Sequence, residues 1–143
     1  MKNFINIQEF SKEEILRWID LAIQSKKAAV SVSKTAANKV LALIFEKKSI
    51  RTRLSFDVAI RQLGGTSIVL DMSEIHLGNG NESLSDTSKT MSLYVDALVL
   101  RVNDHNSIIE IAKNSSIPVI NGLSNVSHPC QAMAGLMTLI EEK

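Results

Sequence analysis

With 143 residues, 45% of them hydrophobic, the chain is long enough to bury one good core and too short to build two, so 1–143 reads as a single domain. Lys plus Arg number 16 against 15 Asp plus Glu, and a formal net charge of +1 supplies no global field for nucleic acid or an anionic membrane surface. Any anion bound here must therefore be held by local geometry.

Cys130 is the sole cysteine, which excludes an intrachain disulfide, and the opening residues MKNFIN lack the apolar core of a secretory signal. The expected compartment is the cytoplasm. Apolar runs such as Val40 to Phe45 fall far short of the roughly 20 residues a membrane-spanning helix needs, so no membrane association is expected.

Along the chain, Ser11-Lys12-Glu13-Glu14 has a capping-box layout, and Ile15, Trp18, Ile19, Ala22 and Ile23 recur at helical spacing, predicting a helix from Ser11 to about Ala29. Ser31 to Asn38 is small, polar and aperiodic. Val40 to Phe45 reads as a buried strand. A helix from about Arg51 follows, with Leu54, Val58, Ala59 and Leu63 on one face, and Gly64-Gly65 closes it by tolerating positive φ. Ser67 to Leu70 is the next strand, and Asp71 to Asn81, carrying Gly78 and Gly80, a long loop. Ser83 to Val95 is predicted helical, Ala97 to Leu100 a strand, the region of Ile108, Ile109 and Ala112 a short helix, and Pro118 to Ile120 a fourth strand. A closing helix covers Gln131 to Lys143, with Met133, Leu136, Met137 and Ile140 on one stripe.

Short apolar strands alternating with helices imply an α/β fold: a three-layer parallel sheet of about four strands with helices on both faces, joined by right-handed crossovers. Ligands in such sheets bind beyond the carboxyl ends of the strands. Three strand ends there carry chemistry. The first runs into Lys48-Ser49-Ile50-Arg51-Thr52-Arg53 at a helix start, where free backbone N–H groups, the positive dipole end, two hydroxyls and guanidinium groups make an oxyanion site. The plainer alternative is a helix cap with solvated arginines. The third strand ends at Arg101, which read alone is a surface arginine. After the fourth, Asn121 to Asn125 turns into Ser127-His128-Pro129-Cys130-Gln131, with Pro129 suited to the first helical position. There His128 can donate to a carbonyl oxygen and Gln131 can accept from an NH2 group, although a His before Pro is commonly a cap or a surface residue. All three ends fall at one edge of the sheet, a convergence that points to a site.

Other chemistries lack their residues. There is neither a Gly-x-x-x-x-Gly-Lys-Ser/Thr loop nor a Gly-x-Gly-x-x-Gly, and Gly78-Asn79-Gly80 lacks the third glycine. Cys130 stands two residues from His128 around a proline, poor geometry for a thiolate pair. His76, His105 and His128 are scattered without metal-ligand spacing.

Phe45-Glu46-Lys47-Lys48-Ser49-Ile50-Arg51-Thr52-Arg53, with Gln62-Leu63-Gly64-Gly65, resembles the Ser-Thr-Arg-Thr-Arg signature region of the aspartate and ornithine carbamoyltransferases. Glu82-Ser83 with Asp86-Thr87, Tyr94 to Ala97, Pro118 to Leu123, and His128 to Gln131 continue the likeness in order over nearly the whole chain. Phe45-Glu46-Lys47, Gln62 to Gly65 and Asn121-Gly122-Leu123 lean toward the ornithine branch. The resemblance implies that Ser49, Arg51, Thr52 and the backbone N–H of Ile50 hold the phosphate of carbamoyl phosphate. Arg101 would bridge phosphate and carbonyl oxygen, His128 and Thr52 would polarise that oxygen, and Gln131 would contact the carbamoyl NH2. The δ-amine of ornithine would attack the carbonyl carbon, giving citrulline and phosphate, with no metal or organic cofactor. It further implies a homotrimer, because the family's trimer contacts lie mainly in this domain, and an ornithine-binding second domain lying outside this chain.

Three positions depart from the family pattern. Ile50 stands where Thr is usual, His76 precedes Leu77-Gly78 where a Gln reaches into the neighbouring subunit, and Gly135 replaces an Asp, at about 1 kcal/mol of helix propensity relative to Ala. Aspartate or putrescine as acceptor, a non-catalytic module binding carbamoyl phosphate or phosphate, and a ligand-free structural domain are the alternative readings.

Overall fold

The computed structural model describes residues 2–27, 34–72 and 83–142. After a 3-10 turn at Ile7–Glu9, the order is α1 (Lys12–Lys27), β1 (Val40–Phe45), α2 (Ile50–Gln62), β2 (Thr66–Asp71), α3 (Leu84–Tyr94), β3 (Ala97–Arg101), α4 (His105–Asn114), β4 (Val119–Leu123) and α5 (Pro129–Glu141). The strands are all parallel, in the order β2-β1-β3-β4. This is the expected layered parallel α/β arrangement, and the ends of its elements differ from the predicted ones by a few residues. The expected loop between β2 and α3, including His76, Gly78 and Gly80, falls on 73–82, outside the described residues.

Alternation along the strands sorts the core into two layers. Leu41, Leu43, Phe45 and Val99 pack with Phe56 and Ile60 of α2, whereas Ala42, Ile44, Leu98 and Leu100 pack with Ile108, Ile111 and Ala112 of α4 and Leu84 and Met91 of α3. Leu43, Leu98, Val99 and Leu100 are wholly shielded from solvent. Each such side chain contributes about 1.5–3 kcal/mol on leaving water.

Local signals behave as the sequence suggests. In the capping box, Ser11 N–H donates to Glu14 Oε2 at 2.8 Å and Glu14 N–H to Ser11 Oγ at 3.2 Å. Gly64, at φ 86°, ends α2: its N–H donates to Arg61 O at 3.0 Å and that of Gly65 to Ile60 O at 2.9 Å, the paired bonds of a Schellman stop.

Leu54, Val58, Ala59 and Leu63 share a face of α2, as the spacing predicts, and that face is the solvent side; Leu54, Val58 and Leu63 are 55%, 47% and 41% exposed. The core side is Thr52, Phe56 and Ile60, spaced four apart, so α2 carries two apolar stripes and periodicity alone could not rank them. On α5, likewise, only Met133 and Met137 of the predicted stripe are half-buried, while Leu136 and Ile140 are exposed. One expectation is corrected: Asn121-Gly122-Leu123 is strand rather than turn. Leu100 pairs with Asn121 and Arg101 with Leu123, so Gly122 is an inserted residue. A Cβ there would lie 3.1 Å from Val99 Cγ1 and 3.2 Å from Leu100 O, which accounts for the glycine.

An added feature is the N-terminal segment. Phe4 bridges to Ile120 in parallel, its N–H donating to Val119 O at 2.8 Å and its carbonyl accepting from Asn121 N–H at 2.8 Å. Its ring packs 5.4 Å from Phe10 and 5.9 Å from Trp18, tying α1 to β4.

Leu43→Ala is expected to cost about 2–5 kcal/mol in urea unfolding, and Leu54→Ala less than about 0.5 kcal/mol. Comparable losses would contradict the assignment of the α2 faces.

Candidate functional site

The sheet sets the location. From β1 the chain crosses to β2 on one side, then to β3 on the other, so the crossovers diverge between the carboxyl ends of β1 and β3. These ends are level, with Phe45 opposite Arg101. The chain leaving β1 stays tied to β3: Glu46 N–H donates to Arg101 O at 2.9 Å, and the Glu46 carboxylate accepts both the backbone N–H and the side-chain amide of Asn103.

Ser49 follows in extended conformation (φ −151°, ψ 105°) and caps α2, its Oγ accepting from Thr52 N–H at 3.4 Å and donating to Thr52 Oγ1 at 3.0 Å. Buried Thr52 also accepts from Arg101 Nη1 at 3.0 Å. With two donors occupying its lone pairs, the Thr52 hydroxyl has its own hydrogen to give. Arg101 Nε is buried and makes no hydrogen bond among the described residues. The cap and the anion site read from the sequence thus involve the same residue. The first N–H groups of α2, those of Ile50 and Arg51, have no intrahelical acceptor and stand at the positive end of the helix dipole. Arg51 and Ile50 are exposed, Ile50 at 77%. A cavity of about 410 Å3 lies beside this helix start, lined in part by Lys48, Ser49, Ile50 and Arg53, and a second of about 210 Å3 by Lys47, Arg101, Asn103 and Ser124.

His128 occupies the cap position of α5, directly before Pro129, without using its side chain as a cap. Its Nδ1 is buried and makes no hydrogen bond among the described residues. Burial, and secondarily the positive charge of Arg101, hold the imidazole below its ordinary value of 6.5, so it is neutral at pH 7. Gln131 lies exposed on the first turn of α5. Ser49, Thr52 and Arg101 are therefore joined by hydrogen bonds, and His128 is coupled to Arg101 through its charge; Arg51 and Gln131 are exposed and make no hydrogen bond to the others, and His76 lies outside the described residues.

Cys130 donates to Asn121 O at 3.5 Å, and burial pushes its thiol up to about 11, so it is protonated and unsuited to nucleophilic work at neutral pH. No group of His, Cys, Asp or Glu among the described residues is arranged to hold a metal ion, and no helix there is long and apolar enough to cross a membrane.

Sequence reasoning missed the Glu46–Asn103 clamp and the part played by Asn121. Asn121 is wholly buried, its Nδ2 donating to Ile5 O at 3.0 Å and Ser127 O at 3.2 Å. An amide inside an apolar strand was the available signal, since a buried polar group needs partners.

The family described as aspartate/ornithine carbamoyltransferase, carbamoyl-P binding domain, matches residues 2–141. The chain belongs to this family. An ornithine carbamoyltransferase of Methanocaldococcus jannaschii is 45% identical over 141 residues, covering 99% of this chain and 46% of the relative. The crystal structure of an anabolic ornithine carbamoyltransferase from Campylobacter jejuni superposes with a TM-score of 0.92 at 41% identity, over 99% of this chain and 46% of that one. The enzyme from Pyrococcus furiosus gives 0.94 at 40% identity, over 99% and 45%. The chain thus spans about half the length of these relatives and corresponds to the carbamoyl phosphate-binding domain of the family.

Because the folded His128 titrates below 6.5, the unfolded state binds the extra proton first. Its contribution to stability is complete above pH 6.5 and is lost as pH falls below that value. An NMR titration of His128 is expected to give a midpoint below 6.5 that moves upward in Arg101→Gln; a midpoint at or above 6.5 would contradict the burial argument.

Proposed function

We propose that this chain supplies the carbamoyl phosphate half-site of an ornithine carbamoyltransferase. The observation that carries the reading is the Arg101 Nη1–Thr52 Oγ1 hydrogen bond at the N-terminus of α2, which joins a phosphate-type site to a guanidinium from the neighbouring strand. In this reading Ser49, Arg51, Thr52 and the Ile50 N–H take the phosphate. Arg101 spans phosphate and carbonyl oxygen, neutral His128 and Thr52 donate to that oxygen, and Gln131 accepts from the carbamoyl NH2.

The reaction then needs only fixed donors. The δ-amine of ornithine attacks the carbonyl carbon, negative charge grows on the carbonyl oxygen, and the bond from carbon to the bridging phosphate oxygen breaks. The proton lost by the amine leaves with phosphate, and citrulline is released. Donors already in position stabilise the developing charge without reorganising, and the chemistry calls for no metal or organic cofactor. A neutral imidazole suits this work, because it donates a hydrogen bond without adding a second cation beside Arg101.

The ornithine-binding part is proposed to lie in a second domain beyond this chain, in keeping with relatives of about twice the length. A homotrimer is proposed as well: the apolar side of α2 at Leu54, Val58 and Leu63 is exposed here and offers surface for subunit contact. The proposed compartment is the cytoplasm and the proposed context arginine metabolism.

Assay of the intact protein with carbamoyl phosphate and ornithine, aspartate or putrescine is expected to give citrulline with ornithine preferred. Turnover with a different amine would reassign the acceptor, and phosphate binding without turnover of any amine would leave a non-catalytic module. A hydrogen bond to a charged group contributes about 1.5–3 kcal/mol, so Arg51→Ala is expected to weaken carbamoyl phosphate binding at least about tenfold by calorimetry; an unchanged dissociation constant would remove Arg51 from the phosphate site.

A further inference from the structure

His105 opens α4 between exposed Asp104 and Asn106, yet is itself only 8% exposed. Its ring is held from two sides: Nδ1 lies 2.8 Å from Ser124 Oγ, and Nε2 lies 3.5 Å from Asn6 Nδ2. The Asn6 amide is oriented by the Glu9 carboxylate, which accepts from Nδ2 at 3.0 Å. The Nδ1–Ser124 Oγ contact is the shorter of the two and is a hydrogen bond whichever ring nitrogen carries the hydrogen.

That hydrogen bond anchors Ser124. Its Oγ accepts from the N–H groups of Val126 at 3.3 Å and Ser127 at 3.2 Å and lies 3.3 Å from Ser127 O. Ser127 O also accepts from Ser124 N–H at 3.0 Å and Asn121 Nδ2 at 3.2 Å. A second latch joins the same two segments, His105 N–H donating to Asn125 Oδ1 at 3.1 Å and Asn125 N–H to Asn103 O at 3.2 Å. The residue after Ser127 is His128, whose ring Nδ1 has no hydrogen bond of its own among the described residues. Its place is therefore set through the backbone that Ser127 anchors.

The geometry points to His105 as a positioning residue: through its hydrogen bond to Ser124 it holds the Ser124–Ser127 turn, and through that turn the imidazole of His128. His105 touches no substrate, and the inference rests on the proposed role of His128 at the carbamoyl oxygen. The phosphate end of the site is built on the separate β1–α2 connection, so loss of His105 affects recognition of the carbonyl and spares recognition of phosphate.

The test uses the intact protein and calorimetry with two ligands, phosphonoacetamide, which carries both a phosphonate and a carbamoyl-like amide, and inorganic phosphate. His105→Leu is expected to weaken phosphonoacetamide about fivefold to tenfold and leave inorganic phosphate within about twofold. His105→Asn, whose amide can donate to Ser124, is expected to recover most of the loss. Ser124→Ala, which also removes the bonds to Val126 and Ser127, should lose at least as much as His105→Leu, and the double variant no more than Ser124→Ala, since His105 acts only through Ser124. Equal weakening of the two ligands, additive losses, or an unchanged phosphonoacetamide affinity would overturn the proposal. Should His105→Leu fail to fold, Ser124→Ala decides alone, and absence of a ligand-selective loss there overturns it. An unmodified protein that binds both ligands alike would remove the role of His128 itself, a failure visible before any variant is made.

Discussion

Thr52 and Arg101 are 49 residues apart in sequence, and the hydrogen bond between them exists because β1 and β3 are neighbours in the sheet. That adjacency is reinforced at both ends of the pair. At the start, Asp96 accepts from the backbone N–H of Val40 at 2.9 Å and from Lys39 Nζ at 2.7 Å. Beyond the carboxyl ends, Glu46 grips Asn103 with both carboxylate oxygens. Between these clamps lie Leu43, Ile44, Val99 and Leu100, almost entirely out of water. The site thus inherits its rigidity from the most buried part of the molecule, which is what fixed-dipole stabilisation of a developing charge requires.

Three kinds of donor are set at this edge, each by a different device. The helix start of α2 offers backbone N–H groups by virtue of its geometry, with Ser49 extended so that the helix begins at Ile50. Arg101 is carried by a strand and steadied by a hydroxyl. His128 depends on a turn that Ser124, Ser127 and Asn121 close from within the chain. The departure at position 50 is mild in these terms: Ile50 is 77% exposed, and replacing a hydroxylated residue there leaves the backbone donor in place. Gly135, by contrast, sits on α5 with nothing within 4 Å of an added Cβ, and no structural reason for it is apparent.

Much of this was legible in the sequence because it depended on local rules. The capping box at Ser11, the glycine stop at Gly64, the strand Val40–Phe45 and the proline at the start of α5 are each decided within a few residues. The gathering of Ser49, Arg101 and His128 at one edge followed from the rule that parallel strands end together. What could not be read was non-local. Choosing between the two apolar stripes of α2 requires knowing which side meets β1. Recognising Gly122 as an insertion within β4 requires the register against β3. His105, which looked like one of three scattered histidines, gains its partners only when α4, the N-terminal segment and the β4–α5 turn are brought together.

The central claim, that this edge receives carbamoyl phosphate, is tested most directly by a crystal structure of the intact protein with phosphonoacetamide bound. The account predicts the phosphonate at the N–H groups opening α2, within hydrogen-bond reach of Ser49 and Thr52, and the amide oxygen within reach of both Arg101 and His128. A phosphonate held elsewhere, or an amide oxygen that meets neither Arg101 nor His128, would contradict it.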